Sequence, residues 1–332
     1  MKKFINCPND VVSETLAGMR VAHPHDLRID LDTRVIYRRH PKTRGVALIS
    51  GGGFGHEPLH GGFVGRGMLD AACCGEVFTS PVPQNILHAV EQVHTADGLI
   101  FLVKNYTGDV MNFEMAAECA ADMGIAVETV IIADDVAVQD SLYTAGRRGI
   151  GGSVFVEKIA GAAAERGDTL AEVAALARYT ADHTRSFGLA LNACTVPTTA
   201  ATSFDLGPEE IELGIGIHGE PGRCRAAFTS ARELAPQIVE PIISDADFSG
   251  GPVIALLSGM GATPISELYL MYGEIHRVLT DEYGIDVARH LVGNYVTSLD
   301  MEGCALSLLR AHNDIIDLWD APVATTALRW EA

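Results

Sequence analysis

Four polar side chains beside glycine-rich stretches could carry chemistry in this sequence. His56 follows a run with four glycines in five positions, Lys104 and Asp109 share a second short segment, and His218 lies among the glycines of a third. Glycine permits positive φ angles and lets a backbone approach a ligand closely. A neutral imidazole can serve as a nucleophile, and a carboxylate can serve as a general base. If the three segments converge, they make a candidate catalytic site.

The elements that must position these side chains follow from the apolar pattern. Apolar runs predict buried strands over 45–50, 98–106 and 126–132, with an alanine-rich helix over 113–123. Strands that alternate with helices indicate an α/β domain whose sheet is largely parallel and flanked by helices. In such sheets ligands bind at the carboxyl ends of the strands, where His56 and Lys104 stand.

The rest of the chain predicts a second unit. Helices are expected over 156–166 and 169–184, the latter opened by an N-cap signal at Asp168 and Thr169; strands are expected over 188–193, 212–218 and 253–257, and a helix over 265–279. At about 150 residues per domain, 332 residues suggest two domains. We expect a boundary near 185–190. Residues 1–187 would form an α/β domain with the glycine-rich substrate loop, and residues 188–332 a smaller α/β domain carrying His218.

Composition and charge narrow the possible partners. The chain has 43 acidic and 24 basic residues, a formal net charge of −19, which disfavours nucleic acid and anionic membranes. Its longest aliphatic stretch, 99–103, is too short to span a bilayer, and no apolar segment follows the first lysines, so we expect a cytoplasmic protein. Seven scattered cysteines without a Cys-x-x-Cys pair predict neither a disulfide framework nor a zinc knuckle.

Two familiar motif types are matched only in part. The segment 56–60 has the letters of a His-Glu-x-x-His zinc site, but Pro58 would break the helix that must align both histidines. The glycine run has His56 where a dinucleotide-binding fingerprint needs its third glycine, and the chain has no Gly-Lys pair for a phosphate-binding loop. An unrelated metal or nucleotide enzyme is therefore disfavoured, and we expect no metal site.

Together, the three polar segments resemble the substrate-binding subunit of the dihydroxyacetone kinases. Stretches similar to that family run in order along nearly the whole chain, at 51–58, 78–81, 104–109, 140–149, 216–222, 261–264, 297–301 and 318–322.

The resemblance implies a role for each polar side chain. His218 matches the histidine that forms a covalent hemiaminal with the substrate carbonyl, and His56 matches the histidine that hydrogen-bonds the substrate and assists proton transfer. Asp109 matches the carboxylate that accepts the proton of the hydroxyl being phosphorylated. Further substrate contacts are implied for the loop residues Gly53, Phe54 and Gly55 and for Lys104. A ketone can form the adduct, whereas glycerol, which has no carbonyl, cannot.

The resemblance also implies cofactors and partners. In the family an all-helical subunit or domain holds the adenine nucleotide and Mg²⁺, so we expect this chain to bind neither itself. Because the sequence ends at Ala332, soon after the 318–322 stretch, we expect that module to be a separate subunit. The resemblance further implies a homodimer and a phosphotransferase-system phosphocarrier that recharges the nucleotide. The alternative is a ketose-binding sensor of the co-activator class, for which a retained Asp109 would be unnecessary.

One residue departs from the family pattern. Phe54 stands where the family usually has serine, which offers a hydroxyl that phenylalanine lacks. Three interpretations are open: the ring turns into the core and leaves the site intact, it reshapes the pocket towards another short ketose such as erythrulose, or it marks a paralogue that binds ketose without being a kinase.

Overall fold

A computed structural model describes residues 2–139 and 144–330. The first four residues of the similar stretch 140–149 lie outside this description, as do Glu331 and Ala332. Its α-helices are α1 (Val11–Ala22), α2 (Pro83–Val93), α3 (Thr107–Asp122), α4 (Gly152–Arg166), α5 (Leu170–Asp182), α6 (Ala231–Asp245), α7 (Ile265–Arg277) and α8 (Asn313–Asp320). Single 3₁₀ turns occupy Pro8–Asp10 and Gly61–Phe63, and a π-helical turn, Val278–Glu282, extends α7.

The strands form two six-stranded sheets and one short hairpin. In chain order they are β1 (Leu27–Asp30), β2 (Val35–Arg38), β3 (Ala47–Phe54), β4 (Ala71–Val77), β5 (Leu99–Lys104), β6 (Val127–Ile132), β7 (Thr184–Asn192), β8 (Glu210–Leu213), β9 (Cys224–Ala227), β10 (Val253–Gly259), β11 (Val287–Gly293), β12 (Glu302–Arg310), β13 (Val323–Ala324) and β14 (Arg329–Trp330).

The first sheet has the order β1-β2-β4-β3-β5-β6. Strands β4, β3, β5 and β6 run parallel, whereas β1 and β2 add an antiparallel edge. The second sheet has the order β11-β10-β12-β7-β8-β9 and is antiparallel except for the pair β10–β11. The chain is thus an α/β protein of two sheets flanked by helices, as the sequence predicts.

Helices and sheets alternate in five layers. One face of the first sheet packs on α2 and α3, and its other face packs on α4 and α5. The far side of α4 meets the second sheet through Ile254, Leu256 and Leu309, and the outer face of that sheet packs on α6 and α7. Because successive side chains of a strand point to opposite faces, Val253, Ala255 and Leu257 of β10 face the outer layer. Helix α4 therefore lies between the two sheets.

Most predicted elements are present with shifted ends. The N-cap signal before α5 is confirmed: Thr169 and Glu172 form a reciprocal capping box. Helix α3 begins six residues earlier than expected, at Thr107, so Asp109 lies in its first turn.

One predicted strand is wrong in its second half. The strand expected over 212–218 ends at Leu213, because Gly214 takes a φ of 79° and turns the chain out of the sheet. His218 consequently lies in a turn and not in a strand.

The C-terminal end of the chain returns to the first sheet. Helix α8 packs on α4, Ala324 pairs with Arg66, and the Ala327 amide donates to the Gly62 carbonyl. The division of the chain into 1–187 and 188–332 stays a prediction. Within the described residues, no helix is both long and apolar enough to cross a membrane.

Candidate active site

The glycines of β3 allow two other segments to come within contact distance of the strand. A Cβ added to Gly51 would lie 2.5 Å from the Cys73 carbonyl oxygen of β4, and one added to Gly53 would lie 2.6 Å from the amide nitrogen of Thr79. Gly55 has a φ of 110°, which side chains rarely tolerate. A larger residue at Gly51 or Gly53 would therefore push β3 away from β4 or from the segment around Thr79.

His218 is held by a carboxylate two residues further along its turn. Its Nδ1 lies 2.8 Å from Oε1 of Glu220, and its backbone amide donates to Oε2 at 2.9 Å. Burial alone would raise the pKa of Glu220, but the charge and hydrogen bond of His218, with the Arg148 guanidinium, lower it to about 2. An ionised carboxylate can only accept, so Nδ1 carries the proton. When the ring is neutral, its lone pair is therefore on Nε2.

His56 has the same tautomer for a different reason. Its Nδ1 donates to the carbonyl oxygen of Thr297 at 2.8 Å, so Nε2 carries the lone pair. That Nε2 is buried and has no hydrogen-bonding partner within the described residues. Burial, then the charges of His218 and Lys104, hold the pKa of His56 well below its usual value. His56 is thus a neutral, buried hydrogen-bond acceptor.

The rings of His56 and His218 lie next to each other. The His56 and His218 centroids lie 4.7 Å apart at 74°, and Tyr106 meets His218 edge-on at 4.6 Å. Phe78 lies 5.2 Å from both histidine rings, stacked on His56 and edge-on to His218. The side chain of His218 is 13% exposed and His56 is 1% exposed, so His218 is the more accessible of the two.

The segment 104–109 supplies two charged groups, Lys104 and Asp109. Lys104 ends β5 with its side chain buried, and Asp109 lies in the first turn of the next helix, 3% exposed. Burial raises the pKa of the Asp109 carboxyl, although the charge of Lys104 and a hydrogen bond from Ser80 oppose this effect. Oδ1 of Asp109 has no hydrogen-bonding partner within the described part of the chain. One oxygen of a buried carboxylate is therefore available to a ligand hydroxyl.

His218 and Asp109 line one cleft of about 540 Å³, whereas His56 and Lys104 are not among its lining residues. It is lined by Gly53, Phe78, Thr79, Ser80, Val82, Tyr106, Gly108, Asp109, Asn112 and His218. The cleft can hold a small polyhydroxylated ligand between the imidazole of His218 and the carboxylate of Asp109. Its mixed polar and apolar walls are typical of a small-molecule site.

The Phe54 side chain does not join this arrangement. It is 8% exposed, belongs to the core cluster between the first sheet and α4, and lines a separate cavity beside α1 with Leu16 and Met19. Of the arrangements considered above, the structure has the ring turned away from the cleft. A contact between Phe54 and a substrate is thereby limited to its backbone.

The partial zinc motif is not helical. Residues 56–60 form turns, and the two histidines have separate partners: His56 faces Thr297, and His60 lies between Lys104 and Glu157. In residues 2–139 and 144–330, no group of three or more histidine, cysteine or carboxylate side chains is placed to hold a metal ion.

Sequence reasoning assigned no role to several residues of the site. Glu220 had a usable signal, because it lies two residues beyond His218 in a glycine-rich turn. Tyr106 and Ser80 stood in stretches similar to the family, but nothing in one sequence shows that they face Asp109 and His218. Glu157 and Lys158 together interrupt an apolar stretch of α4, and such an interruption can indicate buried functional groups.

Comparisons with known proteins identify the family of this chain. Residues 17–327 match the Dak1 domain family. The dihydroxyacetone-binding subunit DhaK of the PEP-dependent dihydroxyacetone kinase of Escherichia coli K12 is 44% identical, with 99% of each chain covered. The corresponding subunit of a PTS-dependent dihydroxyacetone kinase of Listeria innocua is 45% identical and covers 98% of this chain and 100% of the relative.

Two solved structures share the fold. A dihydroxyacetone kinase operon co-activator superposes with a TM-score of 0.91 at 32% identity, covering 96% of this chain and 99% of the other. The dihydroxyacetone kinase of C. freundii in complex with AMP-PNP and Mg²⁺ superposes with a TM-score of 0.90 at 34% identity; 99% of this chain matches 61% of that longer one. The chain belongs to the Dak1-domain family, whose members similar over their full length include dihydroxyacetone-binding kinase subunits.

Proposed function

We propose that this chain is the ketose-binding subunit of a dihydroxyacetone-type kinase, an alcohol-group phosphotransferase that works with a separate nucleotide-binding subunit. One observation carries the proposal: a single cleft is lined by His218, whose Nδ1 is held by Glu220, and by Asp109, whose Oδ1 has no partner among the described residues. The first group can hold a carbonyl carbon, and the second can receive a hydroxyl proton. Full-length relatives named as dihydroxyacetone-binding subunits support this assignment.

The first step is formation of a hemiaminal on His218. The Nε2 lone pair forms a bond to C2 of dihydroxyacetone while the carbonyl π pair moves to oxygen. That oxygen gains one proton and Nδ1 gives one up, so the adduct is the sum of a neutral histidine and the ketone. Glu220, 2.8 Å from Nδ1, stabilises the positive charge that the ring carries between these events. Nε2 of His56, which has no partner in the described part of the chain, accepts a hydrogen bond from the bound ketose.

The second step is transfer of a phosphoryl group to a terminal hydroxyl. Asp109 accepts the hydroxyl proton as the oxygen forms its bond to phosphorus and the bond from phosphorus to the nucleotide breaks. Its raised pKa makes the carboxylate a stronger base than an exposed aspartate. The covalent bond to His218 fixes a very small substrate in place for this step.

The described residues that line the cleft do not fit a resident Mg²⁺, which prefers several oxygen ligands. Asp109 is the single carboxylate among the residues that line the cleft, and the described residues offer no cluster of metal ligands. Within the proposal, Mg²⁺ and adenine nucleotide reside on an all-helical partner, and a phosphotransferase-system phosphocarrier recharges that nucleotide. Names of the relatives such as "PTS-dependent" support this arrangement. We also propose that the chain forms a homodimer and is located in the cytoplasm.

The test is phosphorylation by the complete system. The purified chain is mixed with a helical partner subunit loaded with adenine nucleotide, Mg²⁺, and either dihydroxyacetone, erythrulose or glycerol. The proposal predicts phosphorylation of a short ketose and none of glycerol. A ketose adduct without phosphorylation by any partner would instead identify a sensor of the co-activator kind. Equal phosphorylation of glycerol would contradict the role of the carbonyl.

A further inference from the structure

Three buried ionisable side chains form one hydrogen-bonded line beside strand β3. Nζ of Lys104 lies 2.7 Å from Nε2 of His60, and Nδ1 of the same ring lies 2.5 Å from Oε1 of Glu157. The three residues are 1%, 6% and 0% exposed, respectively, and come from β5, the turn after β3, and α4. Burial of ionisable groups costs several kcal/mol per ion unless each is well paired. Because the proposed chemistry does not use His60 and Glu157, their presence needs another explanation.

The chemistry of the donors fixes the direction of this line. An ammonium group has no lone pair, so Lys104 donates and Nε2 of His60 accepts. The ring proton is therefore on Nδ1 and is donated to Glu157. Burial, then the charge of Lys104, lowers the pKa of His60 well below its usual value, in agreement with a neutral ring. His60 thus connects a cation on one side to a carboxyl group on the other.

The ammonium group of Lys104 lies beside β3, on the side that Asp109 also faces. A Cβ added to Gly52 would lie 2.4 Å from Nζ of Lys104 and 3.5 Å from Oδ2 of Asp109, so both charged groups face the same point of β3. The next contact of the ammonium, the Gly51 carbonyl, is long at 3.5 Å. The short bond to His60 is therefore the contact that fixes Nζ.

We propose that His60 and Glu157 are positioning residues: they hold the Lys104 ammonium against Gly52, and the ammonium in turn keeps Asp109 ionised as the base. Neither residue lines the cleft. This inference rests on the proposed function, because it concerns the same Asp109, and it adds two residues to which the reaction itself assigns no role.

Other ionisable groups also face this pair. Lys104 interacts with Asp109, Glu157, Cys74, His56 and His60, and Asp109 interacts further with His218 and Tyr106. Burial raises the pKa of Asp109, and Lys104 is the largest influence that lowers it. If Nζ moves away, the pKa of Asp109 must rise, and activity that needs the ionised form must fall at a higher pH.

Paired substitutions separate positioning from mere packing. His60→Leu and Glu157→Leu remove the line, whereas His60→Gln and Glu157→Gln keep an oxygen that accepts from Lys104 or from the His60 ring. We expect the acidic limb of the kcat profile to move up by about one pH unit in the leucine variants and by less in the glutamine variants. Lys158→Met is the matched control. Lys158 is the neighbouring buried charge on α4, but it donates to the Leu318 carbonyl instead.

A second readout needs no turnover. In protein labelled with ¹⁵N-lysine, the Lys104 ammonium signal, assigned with Lys104→Arg, should shift in the leucine variants and stay in place in Lys158→Met. A shifted signal in a chain that phosphorylates no ketose would refute the proposed function. Two results would overturn the positioning role. The first is normal turnover in both leucine variants with no shift of the acidic limb of the kcat–pH profile. The second is a shift of that limb that is equally large in Lys158→Met or in the glutamine variants.

Discussion

The two histidines of the cleft differ in the partner of Nδ1. His218 donates to the carboxylate of Glu220, whereas His56 donates to the backbone carbonyl of Thr297. A carboxylate stabilises a positive ring, and a carbonyl inside an apolar wall does so much less. In the proposed mechanism His218 can therefore become positive as it forms a bond, while His56 stays neutral and accepts hydrogen bonds. Under that mechanism the same tautomer serves either role, and the partner of Nδ1 decides which.

The largest expected effect lies beyond both histidines, at the base. Asp109→Asn should leave the ketose adduct intact and lower turnover by about 10²–10⁴-fold, because an amide cannot accept the hydroxyl proton. Binding and turnover are measured on the same preparation, so the retained adduct is the internal control. A turnover within a fewfold of the unaltered protein would remove Asp109 from the base role.

Ionisation of Glu220, the partner of His218, should also change the free energy of unfolding in acid. The pKa of Glu220 is about 2 in the fold against an ordinary value of 4.5, so its ionised form stabilises the fold above pH 4.5. This stabilisation, about 3 kcal/mol, is lost as the pH falls from 4.5 towards 2. Urea unfolding of the unaltered protein and Glu220→Gln should therefore differ most near neutral pH and converge in acid. A constant difference across that window would contradict the assignment.

Removal of the charge behind His218 should weaken the adduct itself. In Glu220→Gln the amide oxygen can still accept from Nδ1, but the charge is lost, and we expect adduct affinity to fall about tenfold. Glu212→Gln is the matched control. Glu212 is a buried carboxylate that accepts from the Gly222 amide in the same turn region without touching His218. An equal loss in both variants would indicate a general disturbance of the turn.

The smallest effect on the adduct is expected at Phe54. Because its side chain lies in the core and not in the cleft, Phe54→Ser should change ketose affinity by less than about threefold, although it removes buried apolar contacts. Adduct titrations with dihydroxyacetone and erythrulose check this. A reversal of the preference between the two ketoses would show that Phe54 selects the substrate.

The sequence predicts some strands of the molecule and misses others, depending on how apolar they are. Strands β3 and β5 were predictable because buried parallel strands are rich in apolar residues, and the half-buried edge strand β6 because most of its residues are β-branched. Strand β4 was not predicted, since its small residues between 71 and 77 lack that pattern. The turn that carries His218 was predicted as strand because Gly214 alone gives no sign of its positive φ.

Long-range contacts were beyond the reach of the sequence. The motifs identified the candidate side chains, but the Thr297 carbonyl that orients His56 lies 241 residues away. Likewise, Glu157 meets His60 only because α4 packs against the back of the first sheet. Such pairings depend on how the layers stack, which periodicity does not encode.

The most direct test of the difference between the histidines is NMR of the adduct bond. Dihydroxyacetone labelled with ¹³C at C2 is added to protein labelled with ¹⁵N-histidine, so that a one-bond carbon–nitrogen coupling distinguishes an adduct from the free hydrate. We predict a coupled tetrahedral carbon in the unaltered protein and, at saturating ketose, in His56→Ala, but none in His218→Ala. A coupled carbon that survives in His218→Ala and is lost in His56→Ala would contradict the account.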